Sequence, residues 1–231
     1  MSEDEARLAG VEDFAVVGTG TGVGKTVLTA GLVGWLRDAG ADARGIKPAQ
    51  TGYPPDDDAA FVAEACGTDD AATCLRRLEP ALAPQVAAER SDRTLRYEAI
   101  LSECRAELDA ATVGVVEGIG GLRVPLADGQ EVIDLVAALD VPALVVARSG
   151  LGTLNHTALT VDALRARDVP VSGIVLNEYA GATIAERTNP SALARMTGLP
   201  VHELPEMNLA EPSAAVGAVR AHLPVSVLPG G

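Results

Sequence analysis

The alternation of short apolar runs with longer amphipathic stretches constrains the fold of this chain more than any other feature. The apolar runs are rich in Val, and the stretches between them have the spacing of helices. Nearly continuous apolar strands are typical of parallel sheets with both faces buried, and parallel neighbours need a crossover, usually a helix. Strands are predicted at residues 14–18, 43–47, 113–118, 142–148, 171–177 and 199–205.

The segments between these strands have helical spacing and end at Gly or Asp, which predicts helices there. Helices are predicted at residues 25–40, 94–110, 153–168 and 189–198. We therefore expect an α/β fold, a single domain over residues 1–231 with a mostly parallel central sheet between two layers of helices. Residues 1–12 form an acidic N-terminal tail in this interpretation. Residues 53–93, richer in Pro and Asp, form an insertion over the sheet edge with a helix near residues 58–66.

Charge and composition exclude several classes of function. The formal net charge of −14 argues against a nucleic-acid partner. The start of the chain lacks a signal peptide, no run approaches 18 apolar residues, and three cysteines without a paired motif indicate free thiols. A soluble cytoplasmic protein without a membrane partner is expected. The acidic surface is typical of adaptation to high salt, and equally of an ordinary acidic cytosolic protein.

The sequence FAVVGTGTGVGKT predicts a strand, a glycine-rich loop and a helix that begins at Lys25. The loop amides and the positive end of the helix can surround phosphate oxygens. In such a loop Lys25 reaches the β- and γ-phosphates and the Thr26 hydroxyl ligates magnesium. The motif departs from the strict pattern because Thr19 occupies its first position in place of Gly. A nucleotide site is predicted here.

In open parallel sheets, ligands bind beyond the carboxyl ends of the strands. Further polar residues of this chain are predicted at that edge of the sheet. Lys47, Glu117 and Asn177 end strands, and Asp58 begins the insertion helix. Thr26, Asp58 and Glu117 would form a set of hard oxygen ligands for Mg²⁺. The amide of Asn177 could read a purine edge. The structural alternatives are a solvated strand end for Glu117, a helix cap for Asp58 and a turn for Asn177.

Lysine is rare in this chain. Of 18 basic residues other than histidine, only Lys25 and Lys47 are not arginine. An ammonium group is compact, whereas a guanidinium is a broad planar fork. We infer that both lysines reach into one crowded anionic site, although a compositional bias would leave the same pattern.

Several segments, taken in order, resemble the dethiobiotin synthetase family. They are GTGTGVGKT, KPAQTG, DDDAAF, EPALAPQVAAE, EGIGGLRVPL, GLGTLNHTALT and GIVLNE, and the similarity covers about residues 13–210. The resemblance implies an ATP-dependent cyclo-ligase that makes dethiobiotin from 7,8-diaminopelargonic acid and CO2. The family reaction proceeds through a carbamate and a carbamic-phosphoric anhydride, uses Mg²⁺, and releases ADP and phosphate. The resemblance also implies a homodimer.

The resemblance assigns roles residue by residue. The implied catalytic residues are Thr21, Lys25 and Lys47, and the implied magnesium ligands are Thr26, Asp58 and Glu117. The implied nucleotide-binding residues are Gly22, Val23, Gly24, Lys25, Thr26, Val27 and Asn177. The implied substrate-binding residues are Lys47, Thr51, Gly152, Thr153, Leu154 and Asn155, the last four binding the substrate carboxylate across the dimer.

One departure from the family pattern and three rival functions remain. Gly20 stands where the family often has Asp, which leaves the rigidity of the loop open. A positioning-switch ATPase of the same fold group usually carries a second lysine at that position. A non-catalytic nucleotide-binding module would not need Lys25, Lys47, Asp58 and Glu117 together. A cobyrinate-type amide ligase usually has a separate glutamine-hydrolysing domain, for which this chain has no room.

Overall fold

A computed structural model of the protein describes residue 8 and residues 10–230. Its centre is a sheet of seven strands in which every neighbouring pair is parallel. In spatial order the strands are β11 (Val201–Glu203), β10 (Val171–Asn177), β9 (Ala143–Arg148), β1 (Phe14–Gly18), β6 (Val113–Gly121), β2 (Ala43–Lys47) and β4 (Ala72–Cys74). The predicted fold class, a mostly parallel sheet flanked by helices in one domain, is confirmed.

Two small sheets lie apart from the central one. Strands β3 (Gln50–Thr51) and β5 (Arg77–Leu78) pair in parallel, and β7 (Pro125–Ala127) pairs antiparallel with β8 (Gln130–Glu131). The first of these sheets follows directly after β2, so it lies at the edge of the central sheet where Lys47 ends its strand.

The helices cover both faces of the central sheet. They are α1 (Lys25–Asp38), α2 (Asp58–Cys66), α3 (Pro84–Arg90), α4 (Tyr97–Asp109), α5 (Val132–Leu139), α6 (Thr153–Arg165), α7 (Ile184–Thr197) and α8 (Ala214–His222). The two longest have 14 residues each, and none of the described helices is long and apolar enough to cross a membrane.

Alternation of side chains along the buried strands builds two cores, one on each face. From β1, Phe14 and Val16 pack with helices α1, α2 and α8, whereas Ala15 and Val17 pack with α4, α5, α6 and α7. All four side chains are buried. Because both faces of the sheet are covered, the open positions for a ligand are at the strand ends.

The structure differs from the sequence-based predictions in several elements. Strand β4 and helices α3, α5 and α8 lie in segments for which no element was predicted. Strand β6 continues to Gly121, so Glu117 lies inside it rather than at its end. Helix α7 begins at Ile184, because Thr183 and Glu186 form a capping box there and Pro190 lies inside the helix rather than near its start. The predicted acidic tail at residues 1–12 lies largely outside the described residues.

Helix α1 packs closely against α8 through a glycine. A Cβ on Gly31 would lie 2.3 Å from Val219 Cγ2 and 2.7 Å from the Ala215 carbonyl oxygen, whereas a Cβ on Gly217 of α8 would meet nothing within 4 Å. The close approach of the two helices therefore requires Gly31, and the helix position at Gly217 does not require glycine.

We expect Gly31→Ala to lower the free energy of unfolding by about 1–3 kcal/mol through overpacking. Gly217→Ala, the matched control, should raise it by up to about 1 kcal/mol because alanine is the better helix former. Urea denaturation measures both values. Equal effects of the two substitutions would contradict the close-packing interpretation.

Candidate functional site

The phosphate loop connects β1 to the first turn of α1. Gly22 and Gly24 have φ of 68° and 101°, values that favour glycine. A Cβ on Gly24 would also lie 2.0 Å from the side-chain nitrogen of Asn177. Gly20 differs, since its φ is not positive and a Cβ added to it would meet no atom within 4 Å. A side chain at residue 20 would therefore fit, and the glycine there is not required by the loop.

Lys25 lies buried at the mouth of this loop. Its side-chain nitrogen donates a hydrogen bond to the Gly20 carbonyl oxygen at 2.8 Å. Burial, followed by repulsion from the Lys47 ammonium, lowers the pKa of Lys25 to about 8, although Glu117 and Asp58 act in the opposite direction. An anion that bound beside Lys25 would raise this pKa again and favour the charged ammonium.

Lys47 forms the centre of a buried ion cluster with Glu117 and Asp58. Its Nζ is 2.6 Å from Glu117 Oε1 and 2.5 Å from Asp58 Oδ2. Burial by itself would lower the pKa of Lys47, but the attraction of the two carboxylates and their hydrogen bonds raise it above its ordinary value. Lys47 therefore stays positively charged, and three separate elements, β2, β6 and α2, meet at one ammonium group.

Thr26 connects the phosphate loop to the same cluster. Its hydroxyl donates a hydrogen bond to Glu117 Oε1 at 2.8 Å, the oxygen that also faces Lys47. The strand register explains the arrangement, because Glu117 lies beside Val16 in the sheet, two residues before β1 ends. The three oxygen ligands that the sequence predicts for magnesium thus come together in the structure.

The cluster opens into a cavity of about 770 Å³ at the carboxyl edge of the sheet. Thr21, Gly22, Gly24, Lys25, Thr26, Val27, Lys47, Thr51, Asp58, Glu117 and Asn177 line it, as the sequence-based assignment requires. Val23 contributes its carbonyl oxygen, which accepts a hydrogen bond of 3.2 Å from the Asn177 amide. The Asn177 side-chain oxygen is buried and has no hydrogen-bond partner among the described residues.

The four residues predicted at the start of α6 do not line this cavity in the single chain. Gly152 caps the helix with a φ of 93°, and Thr153 is buried, where its hydroxyl meets that of Thr157 at 3.2 Å. Leu154 is partly buried and Asn155 is exposed. These residues therefore lie outside the cavity lining of the single chain.

Other lining residues were missed by the sequence analysis. They are Gln50, Gly52, Asp56, Ala81, Leu82, Ala83, Pro84, Ile119, Gly120, Val124, Glu178, Glu206, Met207 and Leu209. The segment EPALAP belongs to the family resemblance without an assigned role, and it supplies the four lining residues 81–84. Residues 206–209 follow β11 in a segment without helical or strand periodicity, so no signal in the sequence pointed to them.

The residues present fit a magnesium ion by their donor chemistry. A hydroxyl and two carboxylates are hard oxygen ligands, and Mg²⁺ usually keeps further positions for water and phosphate oxygens. The Lys47 ammonium lies between the two carboxylates and shows that this position favours a cation. The described residues contain no cluster of three or more His, Cys, Asp or Glu side chains that could hold a metal by themselves. A bound nucleotide would have to complete the ligand set.

Solved structures of other proteins show the same fold. The chain is similar to the cell division ATPase MinD of Pyrococcus furiosus, with a TM-score of 0.57 and 17% identity over 93% of this chain and 96% of that one. A MinD of Pyrococcus horikoshii solved with Mg-ADP gives a TM-score of 0.57 and 16% identity, over 90% of this chain and 88% of that one. At this identity the likeness establishes the fold, which is that of the P-loop nucleotide-binding proteins.

Sequence relatives narrow the class to one family. Residues 12–213 match the family model described as AAA domain. The chain is 68% identical to the ATP-dependent dethiobiotin synthetase BioD of Haloferax mediterranei, over 92% of each protein. It is 43% identical to the enzyme of the same name from Anaeromyxobacter dehalogenans, over 89% of this chain and 96% of that protein. The chain belongs to the ATP-dependent dethiobiotin synthetase family, whose members are ligases.

The lowered pKa of Lys25 predicts a pH dependence of nucleotide binding. A phosphate anion favours the charged ammonium, so ATP affinity should be full below pH 8 and fall as the pH rises through about 8, where free Lys25 loses its proton. Calorimetry in buffers of different ionisation enthalpy should show proton uptake on ATP binding above that pH. Lys25→Met should abolish the uptake. Uptake of equal size in this variant would contradict the assignment to Lys25.

Proposed function

We propose that this enzyme joins CO2 to 7,8-diaminopelargonic acid and closes the ureido ring of dethiobiotin at the expense of ATP. The observation that carries the proposal is the convergence of both lysines of the chain on one cavity. Lys25 and Lys47 line it together with Thr26, Asp58 and Glu117. The family of the chain and the donor chemistry of the cavity support the same reaction.

The chemistry requires positive charge between two anions. An amine that has captured CO2 becomes a carbamate anion, which must attack a γ-phosphate that is also negative. Two unit charges ~4 Å apart repel by about 4 kcal/mol at an effective dielectric constant near 20. Left uncompensated, this repulsion would slow the step by roughly three orders of magnitude. Preorganised cations remove it, and we assign this task to Lys25 and Lys47.

The balance of charge explains why the lysines sit among carboxylates. Lys47 faces two carboxylates, those of Asp58 and Glu117, so the three groups together carry a formal charge of −1. Mg²⁺ held by Thr26, Asp58 and Glu117 would supply further charge neutralisation of the phosphates. Lys47 keeps its charge between the two carboxylates, and we assign its third N–H donor to the carbamate. Thr51 lines the same wall of the cavity and would hold the diamine beside it.

The remaining steps need no nucleophile from the protein. Attack of the carbamate oxygen on the γ-phosphorus forms the carbamic-phosphoric anhydride and releases ADP. The second amine of the substrate then attacks the carbamoyl carbon, closes the ring and expels phosphate. Both amines belong to one molecule, so their proximity supplies much of the acceleration once the cavity orients them. Thr21 lines the cavity beside Lys25 and is assigned to the same anions.

The nucleotide base would lie toward Asn177. The buried side-chain oxygen of Asn177 has no partner among the described residues and can accept a hydrogen bond from the amino group of adenine. Glu206, Met207 and Leu209 form the wall on this side.

We further propose that the active unit is a homodimer. In this proposal Gly152, Thr153, Leu154 and Asn155 bind the substrate carboxylate of the partner subunit at the start of α6. The support is that these residues begin a helix, and a helix N-terminus favours an anion.

Lys47→Arg tests the need for a compact charge. Lys47 is 5% exposed and closely held by two carboxylates, so a planar guanidinium would displace them or the substrate. Turnover should fall about 100-fold or more, as for a misplaced catalytic group. The control is Arg44→Lys on the same strand, whose side chain pairs with Asp42 at the surface and should tolerate the change. Near-native turnover of Lys47→Arg would refute the compact-charge explanation.

The proposed reaction is tested by incubating the protein with MgATP, labelled bicarbonate and 7,8-diaminopelargonic acid. Label should appear in an acid-stable ring compound, with one ADP released per ring. Chelation of magnesium should stop the reaction. ATP hydrolysis that is indifferent to the diamine would instead favour a positioning-switch ATPase, and nucleotide binding without turnover would favour a regulatory module.

A further inference from the structure

Three consecutive residues before and at the start of α2 are held by side chains from the small β3–β5 sheet. Gln50 of β3 donates a hydrogen bond from Nε2 to the Asp56 carbonyl oxygen at 2.6 Å. Its Oε1 accepts a hydrogen bond from the backbone N–H of Asp58 at 2.9 Å. One side chain thus binds the backbone on both sides of residue 57.

Arg77 of β5 holds the residue between them. Gln50 and Arg77 are register partners in the small sheet. Arg77 donates from Nε to Asp57 Oδ2 at 3.1 Å and from Nη2 to Asp57 Oδ1 at 3.2 Å, and its guanidinium lies over the Tyr53 ring. Asp57 is itself the N-cap of α2, where its side chain accepts from the N–H of Ala60. Two neighbouring side chains therefore hold these three residues: Gln50 binds residues 56 and 58, and Arg77 binds Asp57.

Gln50 is 3% exposed, and both ends of its amide are used in these two hydrogen bonds. The residue it fixes, Asp58, carries a carboxylate that is 27% exposed and lies 2.5 Å from Lys47 Nζ. Gln50 is also only three residues after Lys47 along the chain. A side chain from the start of β3 thus holds the backbone of a residue that belongs to the proposed magnesium and carbamate site.

We propose that Gln50 is a positioning residue for this reaction, which places the Asp58 carboxylate for Mg²⁺ and Lys47 by binding the backbone of residues 56 and 58. Arg77 assists through Asp57. The expected effect of Gln50 on catalysis rests on the proposed function. Its expected effect on Lys47 does not depend on that function. Residues that orient metal ligands without touching the metal commonly change metal affinity by 10- to 100-fold when they are replaced.

The test compares Gln50→Met, which keeps the length of the side chain and removes both hydrogen bonds, with Gln130→Met at an exposed position of β8. ATP affinity is measured by calorimetry as a function of Mg²⁺ concentration. Gln50→Met should raise the half-saturating Mg²⁺ concentration by about tenfold, and ATP affinity without Mg²⁺ should stay the same. Gln130→Met should change neither value.

The presence of only two lysines provides a readout that does not depend on activity. Protein labelled with ¹⁵N at the lysine Nζ should give two side-chain signals, which Lys25→Arg assigns. In Gln50→Met without nucleotide, the Lys47 signal should shift and exchange faster with water, because Asp58 no longer holds it, while the Lys25 signal stays near its wild-type position. Gln130→Met should reproduce the wild-type spectrum.

Several outcomes would overturn the proposal. An unchanged Lys47 signal together with an unchanged Mg²⁺ dependence would show that Gln50 has no positioning role. Equal losses of ATP affinity with and without Mg²⁺, accompanied by a lower unfolding temperature, would show a purely structural role. If Gln50→Met does not fold, Arg77→Met decides in its place, with the same signals expected to change by a smaller amount. A wild-type protein without ring-closing activity would refute the proposed function but leave the Lys47 test valid.

Discussion

The buried ammonium of Lys47 is the interaction on which the rest of the site depends. It draws together Glu117 from β6 and Asp58 from α2, and through Glu117 it is connected to Thr26 at the start of α1. Desolvation of a buried ion pair commonly costs as much free energy as the attraction returns, so such a cluster is weak evidence for stability. The cluster lies at the mouth of the phosphate loop, where two anions must meet in the proposed reaction. Its position is therefore explained by function rather than by stability.

The pKa values of Lys25 and Lys47 shift in opposite directions, although both side chains are buried in one cavity. Lys47 keeps its charge because two carboxylates face it, whereas burial and the neighbouring ammonium lower the pKa of Lys25 to about 8. The carboxylates of the protein therefore compensate the positive charge of Lys25 less well than that of Lys47. A bound triphosphate would supply the negative charge that Lys25 lacks. The electrostatics of the loop therefore agree with a reaction that uses ATP.

Much of the fold could be predicted because the buried parallel strands carry their signal locally. Strands at residues 14–18, 43–47 and 171–177 were predicted with the bounds that the structure shows. The edge strand β4 was not, because its three residues ATC are only partly buried and lack an apolar run. Helix α7 was predicted too short, because the prediction used the helical spacing from residue 189 onward and did not include the Thr183 capping box that begins the helix.

By itself, the sequence determined the phosphate loop, the parallel sheet and the family, because glycine spacing and apolar runs act over a few neighbouring residues. Only the tertiary structure decided that Lys47 is shared between two carboxylates, that Gln50 holds the backbone around Asp57, and that residues 206–209 close one wall of the cavity. These contacts join segments that no local pattern relates. Their distances follow from how the strand ends and loops pack in three dimensions.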